Sequence, residues 1–358
     1  MRFYITLLLV ALTGMAHATC PTFPPNNVWN TRIDSLPVHA MNGGWLNNGG
    51  NNAGLYFDPS AGIPFNLTAT PASTTMSFAA PDESDPGSYL VGPAIESGSD
   101  AHSIDIDTTN CILYEVDGFS APNTGYSGAI WNLNSNNFRP VAISNPGATS
   151  ADAAGLPVYA GLVRYDEVVP KCTLNHAIRF TYNQTEGSLW PGSHKTLGVV
   201  GQQVSTNPPL GARLRLKQSV DLSSYPPEAQ CIGNALKAYG AIVADNGQTW
   251  FFQVAPDSRW NVTNLLTLQS IKNNFNGTSS PNLEFIDESC MMVSATSYQA
   301  NLSRCIVPTA VPTAVPGVYH QSAPSLPTPT PIATPIPAPA MPPGFKAAFE
   351  SFRAYWGL

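Results

Sequence analysis

Six cysteines, at positions 20, 111, 172, 231, 290 and 305, are spread so widely that no two stand in a C-x-x-C pair. An even number at such spacing argues for three disulfides rather than a metal cluster, on condition that the chain folds in an oxidising compartment. The N-terminus supplies that condition. Arg2 gives a small positive region, Ile5 to Leu12 an apolar run, and Ala16-His17-Ala18 an A-x-A cleavage site, so residues 1–18 read as an export signal and the mature chain starts at Thr19. The apolar run is too short to span a bilayer. A secreted, extracellular protein is expected. Cys290 and Cys305 close a short loop and are expected to pair locally, while spacing leaves the other four open.

Charged residues make up only 11% of the chain, and the 28 glycines and 34 prolines break it into short pieces. That balance favours short strands and turns over long helices. Residues 19–306 read as one disulfide-stabilised, β-rich domain whose first 80 or so residues form a loop-rich wrap. Ser103-Ile104-Asp105-Ile106-Asp107 alternates apolar and polar, and Ile112 to Val116 follows after a turn, which predicts a hairpin. Further strands are predicted at 128–133, 162–168, 176–182 and 212–217. A helix is predicted at 226–239, where Ala229, Ile232, Leu236 and Tyr239 share a face and Gly240 supplies a stop. Asn246-Gly247 predicts a second hairpin between 241–245 and 249–254, and a short helix is predicted from Asn261 to about Lys272. The fold class expected from this pattern is all-β: an antiparallel β-sandwich or jelly roll with one or two covering helices.

After Cys305 the composition shifts. Residues 307–343 carry runs such as Pro-Thr-Pro-Thr-Pro and read as a Pro/Thr-rich linker in polyproline conformation. Residues 344–358 place Phe345, Phe349, Phe352 and Trp356 on one helical stripe, predicting an amphipathic C-terminal helix that docks on the body, a partner protein or a membrane surface.

The net charge of -7 with no Lys/Arg run excludes a phosphate-tracking surface, so nucleic acid is not an expected partner. There is no G-x-S-x-G elbow, H-E-x-x-H, G-x-G-x-x-G or P-loop, which removes the usual signatures of serine hydrolases, zincins and nucleotide binders. What remains is polar chemistry beside predicted strands. His102, His176 and His194 supply imidazoles suited to general acid–base work, or, as an alternative, to a copper or zinc site. Glu115 and Asp152 are candidate acids or orienting groups, with Asp105 and Asp107 on the hairpin as further carboxylates. Arg164 and Arg179 suit recognition of a substrate carboxylate, with Tyr165 beside them. His, Tyr and Arg on one sheet form a combination suited to β-elimination of uronate polymers.

Several of these residues lie in segments that resemble a known family. Those segments are His102, Asn110 to Glu115, Gly128 to Leu133, Thr149 to Pro157, Gly161 to Val168, His176 to Thr181, Trp190-Pro191, His194, Tyr239-Gly240 and Ala244-Asp245-Asn246-Gly247. Together the stretch from about Ser99 to Gly247 resembles a family of uncharacterised exported microbial proteins. The resemblance implies an exported domain and carries no activity with it. The expectation taken forward is a secreted carbohydrate-active enzyme cleaving a polysaccharide by hydrolysis or β-elimination. Its candidate catalytic residues are His102, Glu115, Asp152, Arg164, His176, Arg179 and His194. The alternatives are a non-catalytic extracellular binding or structural protein, and a metalloenzyme ligated by His102, His176 and His194.

Overall fold

The computed structural model describes residues 20–49, 54–69, 72–98, 100–195, 201, 203–204, 206–271 and 281–305. The segments expected to form an export signal (1–18), a Pro/Thr-rich linker (307–343) and a C-terminal helix (344–358) lie outside the described residues. Among those residues a four-stranded sheet runs in the order β1 (Asn66–Thr68), β5 (Ser103–Asp107), β6 (Ile112–Asp117), β8 (Ser127–Asn132). A five-stranded sheet runs β12 (Phe251–Phe252), β9 (Ile178–Tyr182), β11 (Ala241–Asn246), β10 (Arg213–Leu216), β13 (Leu283–Ile286). Two small ladders pair β2 (Thr74–Thr75) with β4 (Ser88–Tyr89) and β3 (Ser77–Phe78) with β7 (Thr124–Gly125).

The body is sheet-rich with short helices, but its strands pair in both senses. β1 with β5, β9 with β11 and β3 with β7 are parallel, which corrects the expected purely antiparallel arrangement. Parallel neighbours require a long crossover, and the chain between β9 and β11 supplies one that includes a helix, Pro227–Ala238. This helix is the one predicted from periodicity. Ala229, Ile232, Ala235 and Leu236 bury its apolar face, Pro227 opens it, and Gly240 ends it with φ +69°. Arg213, 1% exposed, lies beneath its end and donates to the carbonyls of Tyr239, Val28 and Thr31.

The hairpin β5/β6 forms as predicted, with Ser103 opposite Val116 and Asp107 opposite Ile112. The hairpin predicted around Asn246-Gly247 does not form. β9 lies between the two segments, pairing parallel with β11 on one side and antiparallel with β12 on the other. The connecting loop wraps the end of β9 instead: Gly247 N donates to Tyr182 O, and Thr181 Oγ1 donates to Gln248 O. The strand predicted at 162–168 is also corrected, because Tyr165–Val168 is one turn of helix. Glu167 accepts from the Arg164 N–H, a helix-start device stronger than the local β-propensity.

Trp29, Trp45, Trp131 and Trp250 are each at most 2% exposed, so the loop-rich N-terminal segment contributes large rings to the core. Disulfides join Cys20–Cys111, Cys172–Cys231 and the expected local pair Cys290–Cys305. No helix among the described residues is long and apolar enough to cross a membrane.

Candidate functional site

The register of the β5/β6 hairpin sets the first contact. Ser103 faces Val116, so the residues one step further out, His102 and Asp117, are cross-strand neighbours. His102 Nε2 lies 3.9 Å from Asp117 Oδ1 and 2.8 Å from the carbonyl oxygen of Ala151, while Nδ1 lies 2.5 Å from Glu96 Oε2. Both ring nitrogens meet acceptors, so the ring carries both protons. Burial alone pulls this imidazole down, but the Glu96 carboxylate outweighs it and raises His102 to about 9. Burial pushes Glu96 up, and its hydrogen bond to His102 overcomes this to leave Glu96 below the usual range.

The second cation comes from the other sheet. Period two along β9 puts Ile178 and Phe180 in the core and Arg179 on the opposite face. Its Nε and Nη2 each donate to one oxygen of Asp152 at 2.9 Å, and Nη2 also reaches Asp245 Oδ2 at 3.3 Å. Asp245 gets there through a bulge. In an unbroken β11 it would share the face of Val243, which is in the core. An extra residue between Val243 and Asp245 shifts the register so that Asp245 opposes Thr181, on the Arg179 face. The intervening Ala244 turns its carbonyl to the backbone N–H of Ala154.

Asp152 is positioned by loop 149–155, whose carbonyls are bonded one after another. Ser150 O accepts from Ser127, Ala151 O from His102, Asp152 O from Thr149, Ala153 O from His194 Nδ1, Ala154 O from the Ser193 N–H and Gly155 O from Tyr298. Glu115 anchors the next turn. It is fully buried, and its two oxygens accept from the N–H groups of Val158 and Tyr159.

Five carboxyl groups (Glu96, Glu115, Asp117, Asp152 and Asp245) thus share two cations, His102 and Arg179. The negative surplus has a consequence: they do not all ionise in the ordinary range. Burial raises Asp117 to about 6 against the pull of His102, and raises Asp245 to about 7 against the pull of Arg179. Burial also raises Glu115 to about 7, with its two backbone donors opposing. Exposure then separates their roles. The side chains of Asp117 and Asp245 are 30% and 27% exposed, whereas those of Asp152 and Arg179 are 0% and 2%.

Arg164 and His176 form a separate group. Arg164 Nη1 donates to Tyr159 O, Nη2 contacts Glu167, and the guanidinium lies over the Tyr159 ring. His176 Nε2 lies 3.2 Å from Arg164 Nη2 and 3.3 Å from Glu167 Oε2, with Nδ1 2.7 Å from Ala177 O. Burial raises Glu167 and Arg164 opposes it more strongly, holding the carboxyl at about 2. Tyr165 packs edge-on against Trp260 beneath Arg259.

Among the described residues no three His, Cys, Asp or Glu side chains are placed to hold a metal ion, which corrects the expected copper or zinc site on His102, His176 and His194. Each ring is committed to a different partner. His102 and His194 grip the same loop at different carbonyls, and His176 belongs to the Arg164 group. Asp107 is a turn cap, accepting from Thr109 N, Asn110 N and the Asn110 side chain. Asp105 is fully buried and accepts from Ser103 Oγ. The site residues not singled out in the sequence are Glu96 and Asp117, while Glu167 and Asp245 lay within the segments quoted above without a site role. Asp117 had an available signal, lying two residues beyond Glu115 and opposite His102. The chain matches no protein-family model, no curated protein and no solved structure. The geometry of the site is therefore the ground for a functional conclusion.

Proposed function

We propose that this protein is a secreted carbohydrate-active enzyme that cleaves a polysaccharide by hydrolysis or β-elimination, with Asp245 as general acid and Asp117 as general base. One observation carries the reading: two partly exposed carboxyls, at about 7 and about 6, stand over a buried imidazolium and a buried guanidinium. At neutral pH a substantial fraction of Asp245 carries a proton and most of Asp117 does not, which is the division of labour that cleavage of a glycosidic bond requires. In hydrolysis Asp245 gives its proton to the leaving glycosidic oxygen while Asp117 takes one from the attacking water. In elimination Asp117 takes the proton adjacent to a uronate carboxyl instead. Solvent then returns both groups to their starting states.

His102 and Arg179 act as positioning residues, since their protons are engaged with Glu96, Ala151 O and Asp152. Asp152, Glu115 and His194 hold the floor of the site in place. Arg164 and His176 support Tyr159 and the adjoining turn. Export through cleavage after residue 18, a linker at 307–343 and a docking helix at 344–358 belong to the same proposal.

The test is release of reducing ends and of unsaturated products across a panel of neutral and uronate polysaccharides. Wild-type protein is expected to release one of the two, and Asp245→Asn and Asp117→Asn to lower the rate by about 10²–10⁴-fold. Binding of a polymer without release of either product, or full activity in both variants, contradicts the proposal. The first outcome favours an extracellular binding protein.

A further inference from the structure

What a substrate meets around Arg179 is acidic. Asp117 and Asp245 are 30% and 27% exposed, Glu96 is 17% exposed, and Asp100, whose charge acts on Asp117, stands on the surface. The two cations lie beneath them: the side chain of His102 is 5% exposed and that of Arg179 is 2% exposed. Both are held by acceptors of the protein itself, His102 by Glu96 and Ala151 O, and Arg179 by Asp152 and Asp245. Neither presents a positive face to solvent. Arg164 does not take their place, because Glu167 and the Tyr159 carbonyl hold it, and the field of Lys195 is felt at His194.

Such a rim distinguishes the two cleavage reactions. Elimination builds further negative charge on a uronate that is already an anion, and an accessible cation is needed to hold it. The rim offers carboxylates instead. Hydrolysis builds positive charge on the sugar ring in an oxocarbenium-like transition state, which surrounding carboxylates stabilise. The same field repels a polyanion before it docks and draws in a polycation, an effect that salt screens.

Resting on the assignment of Asp245 and Asp117 as acid and base, we infer that the substrate is a polysaccharide of amino sugars with free ammonium groups, cleaved by hydrolysis, and that Asp100 on the rim attracts those groups. Water adds its oxygen to the anomeric carbon and gives a proton to Asp117, while the glycosidic oxygen leaves with the bonding electrons and the proton of Asp245. The test compares reducing-end release from glucosamine polymers of differing linkage, from their fully N-acetylated counterparts, and from polygalacturonate. Wild-type protein is expected to cleave a glucosamine polymer at least about tenfold faster than its acetylated counterpart, and to release no unsaturated product from polygalacturonate. Added NaCl is expected to erase that preference and leave the acetylated rate in place. Asp100→Asn, at an exposed position, is expected to narrow the preference at least about twofold with the acetylated rate and the melting temperature unchanged. Equal rates on the charged and acetylated polymers, or cleavage of neutral or uronate polymers alone, overturn the substrate class and leave Asp117 and Asp245 as acid and base. Absence of cleavage on every polymer removes that assignment, and this inference with it.

Discussion

Asp152 is wholly buried, and its charge is tolerable only because Arg179 meets it side-on with two hydrogen bonds. Removing the guanidinium strands that charge. Arg179→Met is expected to destabilise the fold by about 3–5 kcal/mol, and Arg179→Lys by less, because a point charge replaces half of a planar fork. Urea denaturation of both variants checks the order; equal stability of Arg179→Met and wild type contradicts it. At this scale the sequence was informative about identity and silent about pairing. His102, Asp152 and Arg179 were recognisable as polar residues beside strands, yet nothing in their spacing says that Arg179 meets Asp152 across 27 positions. His194 shows the converse. It looked like a ligand, but burial lowers it and the ring serves to hold a carbonyl.

Elements decide which of these residues meet. The β5/β6 hairpin was legible from its alternation, and its register carries Asp117 to His102 without further information. The bulge in β11 was not legible, because a single unpaired Ala244 leaves no mark in the apolar pattern. Asp245 therefore sits in the site for a reason only the backbone reveals. Loop 149–155 depends on Gly155, where φ is +71° and an added Cβ would come 2.2 Å from Ser193 Oγ. Gly155→Ala is expected to cost about 1–3 kcal/mol and to lower polysaccharide cleavage by displacing Asp152. Thermal melting together with activity checks this; an unchanged melting temperature with full activity contradicts it. The strand predicted at 162–168 failed for a local reason, since Glu167 caps its own turn and draws four residues into helix.

Over the whole molecule, the three disulfides were the most readable feature, and the mixed sheets the least, because parallel pairing depends on crossovers rather than on strand composition. Cys20–Cys111 ties the start of the described chain to the hairpin turn across 91 residues. Replacing both cysteines by Ala is expected to cost about 4 kcal/mol in a chain-entropy view, measurable by denaturant titration. The pH dependence of stability has a definite direction. Glu115 and Asp245 at about 7, Glu288 at about 7 and Asp117 at about 6 all lie above their ordinary values of 3.8 to 4.5. Their contribution is fully present below those ordinary values and is lost as pH rises through the folded ones. His102 adds a term lost as pH rises through about 9, and Glu167 one lost as pH falls through about 2. The melting temperature is expected to peak near pH 4 to 5, to decline up to about pH 7 as the carboxyls titrate, and to fall further towards about pH 9 with His102. A maximum at pH 8 contradicts that balance.

Carbon-13 NMR titration of the Asp117 and Asp245 carboxyls in the folded protein, assigned with Asp117→Asn and Asp245→Asn, tests the acid–base site most directly. Midpoints of about 6 and about 7 are expected. Midpoints near 3.8 for both, the value of a solvated Asp, would remove the acid and the base together.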